Sequence, residues 1–252
     1  MRRLSTAFCL AVMATTVNAA EAPSVLLAAA DALPAARADE AIGLYDQALA
    51  QLDSQRDGPQ WLHAVSRKCW LIVHPQPAAA LDLVKLAAPL AGSLGGSLDW
   101  HQLGVCGGYA QQRQEQTEAA LAAYDAGVAA GLAANDLALL SRARVLRGEL
   151  QYERGAWSDA LADLKAAFEA SEALGDGSGR AYALTAIANL YGSAGEHAKA
   201  LDYYAQTLAV ARETGRRDNE ATALYNLGVT QDKLGQPAAA LDRVILASST
   251  MV

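Results

Sequence analysis

The sequence predicts an all-α protein, a right-handed superhelical solenoid of antiparallel helix pairs. Two observations predict this fold class. Hydrophobic residues make up 52% of the chain but aromatic residues only 6%, so most of the apolar content is Ala and Leu, which are strong helix formers. In addition, a pattern of small residues returns every 40 residues. A fixed period of about that length is typical of stacked helical repeats.

The first 20 residues predict a cleavable signal peptide. Two arginines follow Met1, residues 7–17 are mostly apolar, and Val17-Asn18-Ala19 offers small residues at a cleavage site. The apolar run is too short for a permanent membrane anchor, and no later segment approaches a membrane span. A buried N-terminal helix is the alternative, but the basic start fits it poorly. We therefore expect an exported bacterial protein, periplasmic or secreted.

The charge balance excludes two classes of partner. Without the signal peptide, 18 basic side chains stand against 27 acidic ones, a formal charge of −9. Nucleic acids and anionic membranes are bound by basic surfaces. We expect neither as a partner and predict no stable membrane span in the mature chain.

The repeat is clearest in a column of Ala residues followed by Leu. Ala41-Ile42 is a degenerate copy, one residue out of register. A small residue stands twelve positions before the column, where two antiparallel helices must approach closely. The Ala residues of the column are Ala80, Ala120, Ala160, Ala200 and Ala240, and the small residues are Gly108, Gly148, Ala188 and Gly228.

Two further columns predict where the helices end. Gly155, Gly195 and Gly235 stand five residues before the Ala column, at the predicted turn between the two helices of a repeat, and Glu115 and Pro75 hold this position in earlier copies. The residues fifteen positions after the column are expected to stop each second helix in the left-handed conformation. They are Gly95, Asn135, Gly175 and Gly215.

The last copies resemble the tetratricopeptide repeat family. The resemblance is carried by Ala223-Leu224-Tyr225-Asn226-Leu227-Gly228, by Leu234-Gly235 and by Ala240-Leu241. It extends over roughly residues 38–249 and is most specific from about residue 140. The period of 40 exceeds the usual family period of about 34 residues. HEAT or armadillo repeats are the alternative helical solenoids, but the small-residue columns favour tetratricopeptide repeats.

This register predicts the domain organisation. Residues 1–20 form the signal peptide and residues 21–95 form divergent N-terminal helical repeats. Residues 96–252 form tetratricopeptide-like repeats, with bounds at about 96–134, 135–174, 175–214 and 215–252.

The resemblance also implies a binding surface. In this family the first helix of each repeat lines a concave face that contacts partners. The tyrosines and amides that fall there suit an extended peptide, whereas Lys and Arg are too few for a carboxylate cage. Packing between repeats is the alternative role of Tyr182 and Tyr225. By register, the candidate partner-binding residues are Tyr109, Arg142, Glu149, Tyr182, Thr185, Asn189, Tyr225, Asn226 and Lys233.

No residue pattern indicates catalysis, a metal or a cofactor. The histidines lie at four separate places, and His101 and Cys106, five residues apart, point about 140° apart on a helix. The four are His63, His74, His101 and His197. We expect a protein that is not an enzyme.

The mature chain keeps two cysteines, Cys69 and Cys106, on the first helices of adjacent repeats. Adjacent first helices pack side by side, so a disulfide is geometrically conceivable if the β-carbons face each other. Two separate buried thiols are the alternative.

Two functions fit the sequence. The first is an exported scaffold that binds a protein or peptide partner on the concave face. The second is the sensory region of a membrane signalling enzyme, because degenerate exported repeats look similar to the extracytoplasmic half of bacterial diguanylate cyclases and histidine kinases. The last helix carries Val244, Ile245 and Leu246 with nothing after it to cover them. We expect this flank to meet a partner or another copy, or the chain to continue.

Overall fold

A computed structural model describes residues 21–250, and the predicted signal peptide lies outside these residues. The described residues form α-helices and short 3-10 turns, with no strand among them. The helices are α1 (Pro23–Asp31), α2 (Ala38–Leu49), α3 (Gly58–Ile72), α4 (Pro77–Ala87), α5 (Ala91–Leu94), α6 (Leu98–Gln112), α7 (Thr117–Ala134), α8 (Leu137–Glu153), α9 (Trp157–Ala173), α10 (Gly177–Ser193), α11 (His197–Glu213), α12 (Arg217–Lys233) and α13 (Pro237–Thr250).

The chain divides into two compact units, the first ending at Ala64 and the second beginning at Val65. In the first unit, α1 packs against α2. Leu27 and Ala30 of α1 are buried, as are Ala41 and Tyr45 of α2. The hydroxyl of Tyr45 donates a hydrogen bond to the carboxylate of Asp31, so the polar end of this buried ring is satisfied.

The second unit is built from consecutive helix pairs. The pairs α6–α7, α8–α9, α10–α11 and α12–α13 pack most closely, and the second helices α7, α9 and α11 also pack against the first helix of the following pair. The connections within pairs are short, as expected for antiparallel neighbours. The prediction of an all-helical solenoid is confirmed.

Small residues lie where the helices of a pair cross. A β-carbon on Gly148 would lie 3.1 Å from the carbonyl oxygen of Ala160, and one on Gly228 would lie 2.9 Å from that of Ala240. Ala160 itself is fully buried. The predicted close approach between the two columns is confirmed, and it leaves no space for a side chain at these glycines.

The turns within pairs use the left-handed conformation. Gly155, Gly195 and Gly235 have φ angles of +80°, +78° and +73°. Glu115 takes the same conformation at φ 61° without being glycine, which strains the backbone because its β-carbon crowds the following carbonyl.

All four positions of this column follow the end of a second helix, but the predicted left-handed conformation is confirmed at three of them and wrong at one. Asn135, Gly175 and Gly215 all have positive φ, but Gly95 has φ −60°. The physical reason lies upstream, where Pro89 sits in a 3-10 turn, Ala88–Leu90, that separates α4 from α5. Proline removes a backbone donor and interrupts the helix, so the last turn of this segment ends differently from its equivalents.

A partly buried cluster of charges links three helices of the second unit. The guanidinium of Arg147 on α8 makes two hydrogen bonds of 2.7 Å to Asp163 on α9 and one of 2.8 Å to Asp125 on α7. Asp163 is buried, and the hydrogen bonds that Arg147 donates to it raise the pKa of Arg147 further above its usual value, with a smaller contribution from the negative charge of Asp163. This paired geometry fixes how α8 sits against both neighbours.

One described stretch, Pro77–Leu94, is long and apolar enough to cross a membrane by length and composition alone. The expectation that no segment after the signal peptide approaches a span was therefore too strong. The Ala and Leu that favour helices also raise the hydropathy of this stretch. One such stretch is weak evidence for a membrane, although only 17% of it is buried within the chain.

Candidate functional site

The first helices of the pairs form one continuous surface in the second unit. α6 contacts α8, α8 contacts α10, and α10 contacts α12, so the four helices lie side by side. We call the surface formed by α6, α8, α10 and α12 the first-helix face. Two aromatic side chains are prominent on it, because Tyr182 and Tyr225 are 52% and 54% exposed.

A cavity of about 480 Å³ opens on this face between α6, α8 and α10. We call it the first cavity. It brings together three predicted binding residues, Tyr109, Glu149 and Asn189. Its remaining lining residues are Gln112, Arg113, Tyr152, Glu153, Leu164, Ala186 and Leu190.

Glu149 is the acid of the first cavity whose pKa is shifted. It is half-buried, and the hydroxyl of Tyr182 donates a hydrogen bond to its carboxylate at 3.1 Å. Burial raises the pKa of Glu149 to about 7, and the negative charge of Glu153 adds to the rise, while the hydrogen bond from Tyr182 opposes it. Glu149 therefore changes charge near neutral pH.

Two consecutive hydrogen bonds hold Glu153, the other acid of the first cavity. The buried Tyr124 on α7 donates to the side-chain oxygen of Gln112 at 2.7 Å. The amide nitrogen of Gln112 then donates to Glu153 at 3.3 Å. Because the oxygen of Gln112 is occupied, its amide nitrogen is directed at Glu153.

A smaller cavity of about 190 Å³, which we call the second cavity, lies between α10, α11 and α12. Asn189 lines both cavities and accepts a hydrogen bond from Tyr204. The predicted residues Asn226 and Lys233 line only the second cavity. The other lining residues are Gly192, Ser193, His197, Tyr204, Val229 and Thr230.

Four predicted binding residues do not line either cavity. Tyr182 reaches the first cavity only through its hydrogen bond to Glu149, and Tyr225 is exposed on α12. The guanidinium of Arg142 lies over the ring of Trp70, 4.5 Å from its centroid. The hydroxyl of Thr185 donates to the carbonyl oxygen of Ala181 at 2.8 Å. Arg142 and Thr185 are thus engaged within the chain, and the assignment of partner contacts remains a prediction.

Sequence reasoning missed Gln112, Tyr124 and Tyr152. Gln112 and Tyr152 lie one helical turn from Tyr109 and Glu149, so the spacing of three residues could have placed them on the same face. Tyr124 belongs to the second helix α7, and its hydroxyl contacts the first-helix face through Gln112. No signal in the sequence indicates that contact.

The two cysteines of the mature chain form a disulfide. Cys69 and Cys106 are joined on α3 and α6, with their α-carbons 6.3 Å apart, and both are fully buried. The alternative of two separate buried thiols is therefore wrong. A separation of 6.3 Å is within the usual range for a disulfide.

Among residues 21–250, no group of three or more His, Cys, Asp or Glu is arranged to hold a metal ion. That the protein is not an enzyme stays a prediction.

The class defined by this geometry is an all-α solenoid of stacked helix pairs. A family model described as tetratricopeptide repeat matches residues 136–213 and, in a second register, residues 179–244. These matches support the tetratricopeptide repeat family for the part of the chain where the sequence pattern is most regular. No curated protein matches the chain.

Solved structures show the same fold at low sequence identity. BtubC (BKLC) from P. vanneervenii is 14% identical, with a TM-score of 0.68 and 91% of each chain covered. A Rap protein complexed with Competence and Sporulation Factor is 18% identical at a TM-score of 0.65, covering 90% of this chain and 65% of that one. A putative kinesin light chain from Podosopora anserina is 16% identical at a TM-score of 0.58, covering 75% and 93%. These likenesses establish the fold and no more.

Proposed function

We propose that this protein is an exported scaffold that binds a protein or peptide partner on its first-helix face. The observation that carries the proposal is the pair of cavities that meet at Asn189 on that face. Together they cross α6, α8, α10 and α12, which is the direction an extended segment would follow. The similar Rap fold was solved with a separate factor bound, which supports a binding role for solenoids of this kind.

The exposed chemistry of the face suits a peptide. The side chains of Asn189 and Asn226 can each donate to and accept from a peptide backbone. The exposed rings of Tyr182 and Tyr225 offer apolar contact area with few rotatable bonds to immobilise on binding. Binding is the role that these groups support, because hydrogen bonds from tyrosine and amide groups hold the acids of the first cavity in place.

The Cys69–Cys106 disulfide supports the proposed periplasmic or secreted location. Disulfides form and persist in oxidising compartments and are rare in reducing ones. The bond joins buried residues of neighbouring first helices, so it stabilises the face that we propose as the binding surface.

A comparison of captured proteins tests the proposal. The chain and a Tyr182→Ala/Tyr225→Ala variant are used as baits in a periplasmic extract, and each captured protein is then titrated against both as a purified protein. Leu132→Ala is the matched control, because Leu132 is a similarly exposed apolar side chain on the second helix α7. We expect the control to retain the affinity of the original chain and the tyrosine variant to lose it. If the captured protein binds the original chain, the control and the tyrosine variant with equal affinity, the first-helix face is not the binding surface.

A second candidate is the sensory region of a signalling enzyme, either a diguanylate cyclase or a histidine kinase. The observation that favours it is the size of the first cavity, about 480 Å³, which is within the range of small-molecule sites. Under this candidate the cavity binds a soluble signal, and the gene continues beyond Val252 into a membrane span and an output domain. Reading the gene past that residue separates the two candidates.

Self-association through α13 is a further part of the proposal. Leu241, Ile245 and Leu246 on this helix are exposed large hydrophobic side chains, and such patches favour contact with other proteins. The molar mass in solution, measured for the chain and for an Ile245→Lys variant, tests this contact.

A further inference from the structure

We propose that the first cavity receives a positively charged nitrogen of the bound partner, either a Lys or Arg side chain or a free peptide N-terminus. This inference rests on the proposed function and specifies the chemistry of the ligand at one place on the first-helix face. It starts from two acids, Glu149 and Glu153, which both line the first cavity.

The two carboxylates are one helical turn apart on α8, and like charges at this spacing repel each other. Each receives a hydrogen bond from a neutral donor, Glu149 from Tyr182 and Glu153 from Gln112. In the described part of the chain, neither carboxylate forms an ion pair with a basic side chain. A carboxylate can accept about four hydrogen bonds, so both retain acceptor sites toward the cavity.

The other lining groups also suit a cation. The rings of Tyr109 and Tyr152 border the first cavity, and an aromatic face attracts an ammonium or guanidinium group. The volume of about 480 Å³ is ample for a long basic side chain.

Arg113 is the basic group among the lining residues and opposes a bound cation. Arg113 and Glu153 are both exposed, so solvent and salt screen these two charges, whereas Glu149 is half-buried and is screened less. The remaining titratable groups that face Glu149 are Tyr109, Tyr124, Tyr152, Tyr182 and Glu153. Burial raises the pKa of Tyr124 and of Tyr182, so neither adds negative charge near pH 7. The two glutamates outnumber the single arginine among the lining residues.

A cation next to Glu149 would favour its ionised form. The pKa of this residue, about 7 in the free chain, would fall on binding, and a proton would be released. Affinity for a basic peptide should therefore rise between pH 6 and pH 8, in a range where a Lys or Arg side chain does not change charge.

A displayed library of random peptides is the probe for this inference. Selection is carried out on the original chain, on Glu149→Gln/Glu153→Gln, on Glu169→Gln and on Tyr182→Ala/Tyr225→Ala. Glutamine keeps the size of the side chain and an oxygen that can accept the existing hydrogen bonds. Glu169 is an exposed acid on the second helix α9 and serves as the matched control.

We expect the original chain and Glu169→Gln to enrich peptides with a basic residue or free N-terminus at one fixed position. For a selected peptide, Glu149→Gln/Glu153→Gln should bind about tenfold or more weakly, since a desolvated charge pair is lost. Selected peptides without a basic group, or an unchanged affinity in the glutamine variant, would overturn the inference and leave the proposed function intact. If the original chain enriches peptides no better than the tyrosine variant does, both the inference and the proposed function are contradicted.

Discussion

The hydroxyl of Tyr182 on α10 donates a hydrogen bond of 3.1 Å to Glu149 on α8. It joins the first helices of two consecutive pairs at the edge of the first cavity. Because the bond stabilises the ionised carboxylate while burial destabilises it, the protonation of one acid is linked to the packing of neighbouring repeats.

Glu149→Gln should stabilise the protein at alkaline pH. The pKa of Glu149 is about 7 in the folded chain against a usual value of 4.5, so the folded state binds this proton more tightly than the unfolded state. Stability from this group is full below pH 4.5 and falls as the pH rises through 7. The shift corresponds to about 3 kcal/mol at most.

Urea unfolding at pH 5 and pH 8 measures this effect. The Glu149→Gln variant should gain about 2 kcal/mol over the original chain at pH 8 and much less at pH 5. Glu169→Gln, a change at an exposed acid on α9, should show no such pH dependence. A Glu149→Gln variant that is less stable than the original chain at pH 8 would contradict the burial argument.

Gly148→Ala should destabilise the second unit despite the higher helix propensity of alanine. The new β-carbon would lie 3.0 Å from Cγ of Leu164 and 3.1 Å from the carbonyl oxygen of Ala160, so we expect a loss of about 1–3 kcal/mol. Gly104→Ala on α6 is the control, because nothing lies within 4 Å of its new β-carbon. That variant should gain up to about 1 kcal/mol. A lower thermal midpoint for Gly148→Ala and a higher one for Gly104→Ala would support the close helix crossing. An equal rise in both midpoints would refute it.

Glu115→Gly should stabilise the turn between α6 and α7. Glu115 has φ 61°, and glycine adopts this conformation without the crowding of a β-carbon. The expected gain is about 0.5–1 kcal/mol, because relief of about 1–2 kcal/mol of strain is partly offset by the conformational entropy that glycine loses on folding. The opposite kind of change, Gly155→Ala in the equivalent turn, should lose about 1 kcal/mol. Unfolding midpoints of the two variants provide the measurement, and a loss in both would show that the Glu115 side chain contributes more than its strain costs.

Reduction of Cys69–Cys106 should lower stability by about 3–4 kcal/mol. The bond spans 37 residues, and closing a loop of that length restricts the unfolded chain. Intact mass after alkylation, with and without reductant, measures whether the bond is present. The fall in the thermal midpoint of the Cys69→Ala/Cys106→Ala variant measures how much the disulfide contributes to stability. Alkylation of both thiols without reductant would disprove the bond.

The sequence predicted the fold well because the repeat depends on small residues whose spacing is visible. Ala160 and Gly148 had to meet if two helices were to pair, and they do. The disulfide was left open because two cysteines on adjacent helices meet only if their β-carbons face each other. The last helix of this segment does stop before Gly95, but the left-handed conformation expected there is absent because Pro89 interrupts the segment, so the repeat column did not determine the local backbone.

The candidate site was less predictable than the fold. Register placed Tyr109, Glu149 and Asn189 on one surface, and they line one cavity. It could not show that Arg142 lies over Trp70, since that contact depends on side-chain conformations in two pairs. The link from Tyr124 through Gln112 to Glu153 was equally hidden, because it joins residues from three helices.

Site-specific photo-crosslinking tests the central claim that a partner binds the first-helix face. A photoreactive phenylalanine derivative replaces Tyr225 on α12 in one variant and Lys165, exposed on the second helix α9, in another. Each variant is irradiated with the partner identified by titration, and the adducts are quantified. We predict adducts from position 225 that a selected peptide suppresses, and few from position 165. Adducts concentrated at position 165, with none at position 225, would contradict the account.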